Sequence, residues 1–201
     1  PPGTIAIHTF IAPDNEMMGS AVTSQLMAAI GGKGNVVMTQ GALGHSGAQG
    51  RAKGFKSVVA NFPDVKVINE EPADWDVTKV ARIWDSVLTQ NPDIAGAFFH
   101  NDDMALAANQ VMKQKGREGI IIGGVDAMPP AVQAVLDGTM LATVRNPSCR
   151  IHGWSVAAGV AAVRLGIGRG RHPRCDQGQE GEGQGPKAAQ ECASHRPVRY
   201  C

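Results

Sequence analysis

The sequence predicts an α/β protein, a doubly wound parallel sheet with helices on both faces. Short β-rich segments alternate with longer amphipathic segments along most of the 201-residue chain, which is the order expected when helices connect parallel strands. Gly, Pro, Asn and Asp residues separate these segments, where they end one element and begin the next. With 43% apolar residues, the chain can bury one substantial core.

The first predicted helix follows Pro13. Asp14 is a suitable N-cap, because its carboxylate can accept hydrogen bonds from the free N–H groups of the first turn. The helix continues to about Ile30, where Gly31 and Gly32 end it. The apolar stripe that faces the predicted core consists of Met18, Val22, Leu26 and Ala29.

Two further strand–helix units follow. Residues 35–39 form a buried strand, and the glycine-rich loop 41–47 leads into a second helix that Pro63 stops. Residues 65–68 form the next strand, and Asp76 caps the third helix. The apolar stripes of these helices are Phe55, Val58, Val59 and Phe62, and then Val80, Ile83, Trp84, Val87 and Leu88.

The second half of the chain repeats the pattern after residues 91–93 end the third helix. Strands are predicted at 94–99, 119–123 and 140–144, and helices at 102–115, 129–136 and 150–165. Parallel strands connected by helices place their ligand-binding loops at the carboxyl ends of the strands. We therefore expect functional residues at those ends.

Charge and composition exclude several classes of partner. Lys and Arg number 19 against 18 Asp and Glu, so the net charge of +1 creates no field that would attract nucleic acid or a membrane surface. No stretch approaches the roughly 20 apolar residues of a membrane helix, and the four cysteines lack the spacing of a zinc site. We predict no nucleic-acid partner, no direct membrane insertion, no metal and no cofactor.

One serine lies where an enzyme nucleophile could stand. Ser46 is on a turn between a strand and a helix, but Ala48 occupies a position at which a nucleophile elbow needs glycine. The strand-end residues His100 and Asp126 also follow each other in the wrong order for the triad of that motif. We expect His45 or Ser46 to cap the helix instead.

Asp102 and Asp103 form a second candidate pair for catalysis. They follow Asn101 at the start of a predicted helix, where the helix dipole and free N–H groups favour acidic residues. Capping accounts for both carboxylates, so we predict no catalytic residue and no enzyme.

A set of polar and aromatic residues at the strand ends remains. Taken singly, each has an ordinary role, such as surface charge, helix cap or turn former. Together they suit a carbohydrate, because an Arg fork, amides and a carboxylate can bind hydroxyl groups while an indole packs against C–H faces. The candidate ligand-binding residues are Arg51, Trp75, Asn101, Asp126 and Asn146.

At these residues the chain resembles the ribose-binding-protein type of periplasmic binding protein. The likeness extends over nearly all of residues 4–165 and depends on five stretches in the right order. These are 32–37 with Gly41 and 51–55, then 72–76, 101–107, 123–126 and 137–144. The fold would then be a Rossmann-like lobe of a periplasmic-binding-protein fold, in which ligand is enclosed between two lobes joined by three crossovers.

The resemblance also implies a role for each candidate residue. Arg51, Asn101 and Asp126 would donate to or accept from sugar hydroxyls. Trp75 would stack on the sugar ring, and Asn146 would lie at a crossover and contact ligand. No metal ligand follows from the resemblance.

The resemblance implies the solute-binding component of an ABC-type sugar or polyol importer, located in the periplasm or another extracytoplasmic space. Its partners would be a small sugar or polyol and the membrane subunits of the permease. The alternative is the effector-binding core of a lac-repressor-like transcription regulator; residues 31–35 are of the importer style. A sensor protein that passes a signal to a membrane receptor would share nearly all of these residues.

The expected organisation has four parts. Residues 1–13 are the remnant of the last strand of a first lobe, and 14–146 are the ligand-binding second lobe. Residues 147–167 comprise a crossover and a helix whose apolar side chains should pack on the first lobe. Residues 168–201 contain no Leu, Ile, Phe, Met or Trp, so we expect a disordered or out-of-frame tail.

Overall fold

The structure, a computed structural model, describes residues 9–165. These residues form two compact units, Pro13–Pro147 and a second unit of 9–12 with 148–165. The predicted tail 168–201 and most of the predicted first-lobe remnant, residues 1–13, lie outside the described residues. The described part of this remnant, residues 9–13, contains no regular secondary structure.

A parallel sheet forms the centre of the first unit and confirms the predicted fold class. Its strands are β1 (Gly34–Thr39), β2 (Val65–Asn69), β3 (Ile94–Phe99), β4 (Ile121–Asp126) and β5 (Ala142–Arg145). The helices of this unit are α1 (Asn15–Ala29), α2 (Ser46–Val59), α3 (Val77–Gln90), α4 (Asp102–Gln114) and α5 (Pro129–Leu136). The five strands are ordered β2-β1-β3-β4-β5, and every pairing is parallel.

Side chains of alternate strand residues point to opposite faces of the sheet and build two cores. On one face, Met38 and Phe98 pack with α1 and α2 around the fully buried Phe55. On the other face, Phe99 packs with α3, α4 and α5 around the fully buried Trp84. Helices therefore cover both faces, as a doubly wound sheet requires.

The predicted starts of α1 and α3 are confirmed by their capping contacts. Asp14 Oδ1 accepts a hydrogen bond from the Met17 amide at 2.9 Å, and Asp76 Oδ1 accepts from the amides of Thr78 and Lys79. These two backbone hydrogen bonds lower the pKa of Asp76. All five predicted stripe residues of α3 are buried, whereas Ala29 of the α1 stripe is exposed and Met27 is buried in its place.

Strand β4 differs most from the prediction of 119–123. Gly119 has a φ of +82°, which is outside the extended region. Residues from Gly123 to Asp126 pair with β5 and lengthen the strand at its carboxyl end. The two adjacent glycines, Gly123 and Gly124, have no side chain to contribute to a hydrophobic pattern, so no periodic signal marks this segment.

The second unit contains α6 (Ser148–Arg164), which begins two residues before the predicted start. None of its residues is buried, and its exposed apolar side chains are Trp154, Val156, Val160 and Val163. Among the described residues, no helix combines the length and the apolarity needed to cross a bilayer.

Candidate functional site

The strand order reverses between β1 and β3, and the residues that follow these two strands contact each other. The amide of Gly41, after β1, donates a hydrogen bond to Nδ1 of His100, after β3, at 3.1 Å. A reversal of this kind opens a crevice at the carboxyl edge of a parallel sheet. The predicted site residues are distributed along this edge: Arg51 in α2, Trp75 before α3, Asn101 after β3, Asp126 at the end of β4 and Asn146 after β5.

Arg51 is the central residue of this edge, and its side chain is only 7% exposed. Its guanidinium donates to the carbonyl oxygen of His100, to Asn15 Oδ1 at 3.0 Å and to Asp126 Oδ1 at 3.3 Å. Burial lowers the pKa of Arg51 while the Asp126 carboxylate opposes the shift, and a guanidinium stays charged in either case. The three acceptors therefore fix the orientation of the planar Arg51 guanidinium.

Asp126 and Asn146 extend this network. Asn146 Nδ2 donates to Asp126 Oδ1 at 3.2 Å, so that one oxygen accepts from both Asn146 and Arg51. The Asp126 side chain is 25% exposed. Asn146 Oδ1 is buried and has no hydrogen-bond partner in the described part of the chain. The partly exposed Asp126 carboxylate therefore offers a bound molecule a negative acceptor.

Asp126 lies in a strained turn. Its φ is +122° and that of Ala127 is +53°, a region that side chains other than glycine rarely adopt. Each such residue costs on the order of 1–3 kcal/mol, so the surrounding structure must hold it in place. Thr143 Oγ1 accepts a hydrogen bond from the Ala127 amide at 3.1 Å.

Asp102 is not the simple helix-start acid that the sequence predicts. Asn101 is the N-cap of α4, since its Oδ1 accepts from the Met104 amide at 3.0 Å. Asp102 is fully buried and accepts from Thr143 Oγ1 at 2.7 Å and from the Met128 amide at 2.9 Å. Its carboxylate therefore contacts the turn after β4 rather than its own helix.

Trp75 forms an aromatic wall beside Arg51, whose Cζ lies 5.7 Å from the centroid of the indole ring. The ring packs directly on the backbone of Gly41, where a Cβ atom would overlap it. The ring of His45 contacts it edge-on at a centroid distance of 5.8 Å. Trp75 itself has a φ of +66°, so its placement is held against backbone strain.

The structure thus brings Arg51, Trp75, Asp126 and Asn146 into one network, and Asn101 only borders it. The Asn101 oxygen is occupied by its capping contact, which leaves the amide nitrogen for other partners. His45 also caps its helix, because its Nδ1 accepts from the Gly47 amide at 3.0 Å. That contact confirms the predicted cap of α2.

His100 and Asn15 support the site, and the sequence did not identify them as doing so. His100 is fully buried, holds the Gly41 amide with Nδ1 and accepts from Arg51 with its carbonyl oxygen. Burial, together with the charge of Arg51, lowers the pKa of His100 to about 3, so the ring is neutral. Its position directly after a buried strand was the only available signal.

The buried neutral state of His100 predicts an acid-sensitive contribution to stability. Between its ordinary pKa of 6.5 and the value of about 3 in the fold, only the unfolded chain takes up this proton. The free energy of unfolding should therefore fall as the pH falls, by about 1.4 kcal/mol per pH unit from this residue. Burial raises the pKa of Asp102 from 3.8 to about 6 and contributes the opposite slope over that interval.

Comparing variants isolates the histidine, because Asp102 is common to all of them. Urea unfolding of wild type and His100→Gln at several pH values should give slopes that differ by this amount, with the wild type losing more stability on acidification. His152→Gln is the matched control, since His152 is exposed. Parallel slopes for wild type and His100→Gln would show that His100 titrates normally in the fold.

Comparison with known proteins gives the same family in sequence and in structure. The periplasmic binding protein domain family matches residues 5–166. A xylitol-binding protein of Mycolicibacterium smegmatis is 36% identical over 134 residues, which are 66% of this chain and 38% of that protein. A ribose import binding protein of Salmonella typhimurium is 34% identical over 143 residues, which are 71% of this chain and 47% of that protein.

A solved structure matches over a larger share of the chain. The periplasmic solute-binding protein of an ABC transporter from Actinobacillus succinogenes 130z, with bound D-allose, gives a TM-score of 0.71 at 28% identity. The match covers 82% of this chain and 57% of that one. The chain spans less than half the length of the two curated relatives described above.

Proposed function

This chain belongs to the periplasmic binding protein family, and we propose that it forms the sugar- or polyol-binding part of a solute-binding protein that serves an ABC importer. The observation that carries the proposal is the buried network of Arg51, Asp126 and Asn146 at the carboxyl edge of the sheet. Beside it, Trp75 provides an aromatic wall.

The chemistry of this network suits a neutral polyhydroxylated molecule. Each hydroxyl group can donate to the partly exposed Asp126 carboxylate, and it can accept from the Arg51 guanidinium. The mutual neutralisation of Arg51 and Asp126 disfavours a charged ligand. The C–H face of a sugar would pack against the indole of Trp75.

The site residues are arranged for binding rather than for reaction. His45 Nδ1, the nearest candidate base for Ser46, is occupied by the Gly47 amide. His100 is neutral and fully buried, which leaves it unable to exchange a proton with a bound molecule. The names of the relatives describe binding proteins, which supports a role without catalysis.

The importer role also defines the proposed partners and location. We infer delivery of the bound sugar or polyol to the membrane subunits of an ABC permease, in the periplasm or another extracytoplasmic space. The ribose import binding protein and the D-allose-bound transporter protein favour this role over the transcription-regulator alternative. The ligands named for the relatives, which are xylitol, ribose and D-allose, are the first to test.

Nuclear magnetic resonance titration of this chain tests the proposal and detects even millimolar affinity. We expect xylitol, D-ribose or D-allose to shift the side-chain N–H signals of Trp75, Arg51 and Asn146 in a saturable way. L-Leucine, a solute of similar size without hydroxyl groups on its side chain, should leave them unchanged. Absence of any response to all three carbohydrate probes would contradict the proposed function.

Gly41→Ala should weaken binding by displacing Trp75. The added Cβ would overlap the indole ring, which must then move away from Arg51. Gly44→Ala, in the same loop, is the matched control because its Cβ would meet no atom within 4 Å. We expect probe affinity to fall about tenfold in the first variant only; equal affinities would exclude Trp75 from the binding surface.

A further inference from the structure

The turn that carries Asp126 adopts a conformation that its residues do not favour. Asp126 and Ala127 both have positive φ values, and neither is glycine. Such a turn persists only where neighbouring groups determine its conformation. The contacts that do so come from outside the turn, from α4 and β5.

Two side chains bind the turn amides. Asp102 Oδ2 accepts from the Met128 amide at 2.9 Å, and Thr143 Oγ1 accepts from the Ala127 amide at 3.1 Å. The Thr143 hydroxyl proton is directed to Asp102 Oδ1, 2.7 Å away. The Asp102 carboxylate, the Thr143 hydroxyl and the amides of Ala127 and Met128 thus form one hydrogen-bonded set, in which the ionised carboxylate is the final acceptor.

Gly124 allows the carboxylate to reach this position. A Cβ at residue 124 would overlap Asp102 Oδ1. The fully buried Asp102 side chain therefore occupies space that any other residue at position 124 would take. The arrangement therefore depends on three residues that are far apart in the sequence: Asp102, Gly124 and Thr143.

We propose that Asp102 is a positioning residue that acts with Thr143 to hold the turn in the conformation that presents the Asp126 carboxylate to ligand. The inference rests on the proposed function for its ligand-binding part. Asp126 contacts the proposed ligand directly, and Asp102 acts only through the turn. Asp102 thereby determines whether the Arg51–Asp126–Asn146 network keeps its geometry.

The protonation behaviour of Asp102 adds a pH dependence to this role. Burial raises its pKa to about 6, the charges of Asp126 and Asp103 add to the shift, and the hydrogen bonds from Thr143 and Met128 oppose it. Arg51 is the cation that faces these carboxylates. Below that pH one of the two carboxyl oxygens carries a proton and becomes a donor, so Asp102 can no longer accept from Thr143 with one oxygen and from Met128 with the other as the ionised carboxylate does.

The test uses two variants that break the set and two that keep it. Thr143→Val removes both hydrogen bonds of the hydroxyl at nearly constant volume, whereas Thr143→Ser retains the hydroxyl. Asp102→Asn replaces an acceptor with a donor, and Asp103→Asn changes the exposed neighbouring carboxylate instead. Amide hydrogen exchange of Ala127 and Met128 reports the turn without ligand, and xylitol, D-ribose and D-allose titrations report the site.

We expect Thr143→Val and Asp102→Asn to raise the exchange rates of both amides and to weaken probe binding, each by about tenfold. Thr143→Ser should restore both properties, and Asp103→Asn should stay within about twofold of the wild type. Affinity should fall between pH 7 and pH 5 in the wild type, which spans the pKa of about 6, and stay level in Asp102→Asn.

Unchanged exchange in both Thr143→Val and Asp102→Asn would overturn the proposal. Faster exchange with wild-type affinity would overturn it as well, because the turn would then not serve the site. If the wild type responds to none of the three probes, the proposed function fails. In that case, the exchange rates of the Ala127 and Met128 amides alone test whether Asp102 holds the turn.

Discussion

Replacing Arg51 by methionine is expected to abolish most ligand binding. The side chain donates to the His100 carbonyl, to Asn15 and to Asp126, and it is almost fully buried. Hydrogen bonds to charged groups contribute about 1.5–3 kcal/mol each, so if Arg51 makes two such bonds to the proposed ligand, their loss should weaken affinity by about 100-fold or more. Nuclear magnetic resonance titration with the three carbohydrate probes measures this loss.

Two further variants distinguish the planar hydrogen-bonding geometry of the Arg51 guanidinium from its positive charge. Lys53→Met removes a cation two residues away on the same helix, where its pair with Glu16 at 2.8 Å is exposed and screened by solvent. Binding should therefore be unchanged. Arg51→Lys keeps the charge but cannot reach three acceptors at once, and it should resemble Arg51→Met. Wild-type affinity in Arg51→Met would contradict the assignment of Arg51 to the binding site, and with it the proposed site.

The fold could be predicted from the sequence because its signals are local. Strand β3 and helix α5 lie at their predicted positions, and all five stripe residues of α3 are buried. Caps such as Asp14 and Asp76 need only the next few residues to act. Strand β4 departed from prediction because Gly123 and Gly124 carry no hydrophobic signal.

The site was less predictable because its members are joined by contacts between distant parts of the chain. Position at a strand end indicated Arg51, Trp75, Asp126 and Asn146, and the network between them follows from the strand order. The roles of Asp102 and His100 depend on long-range partners, Thr143 and Gly41, that no local pattern reveals. In the sequence, Asp102 resembles an ordinary helix-capping residue and His100 an ordinary residue at a strand end. Neither pattern indicates that the side chain is buried.

The position of Arg51 depends in turn on the close packing of α1 against α2. Glycines at the contact allow the two backbones to approach, and a Cβ at Gly54 would overlap the carbonyl oxygen of Glu16. A Cβ at Gly19 would overlap the backbone of Arg51 itself. Any added atom must push the two helices apart, since a backbone cannot rotate away as a side chain does.

Gly54→Ala is therefore expected to be strongly destabilising, although alanine is the better helix former by about 1 kcal/mol. Overpacking costs about 1–3 kcal/mol where side chains can adjust, and here the obstruction is backbone. We expect the free energy of unfolding to fall by about 3 kcal/mol or more. Urea unfolding followed by the fluorescence of the buried Trp84 measures it.

Gly153→Ala is the matched control, because the same substitution in the interior of α6 would meet no atom within 4 Å. It should leave the unfolding of the Pro13–Pro147 unit unchanged. Gly19→Ala should resemble Gly54→Ala, and the double variant should lose less than the sum, since the first substitution already separates the helices. Full additivity would mean that the two glycines act independently. A stable Gly54→Ala protein would mean that the helices can separate at little cost, so that helix packing does not determine the position of Arg51.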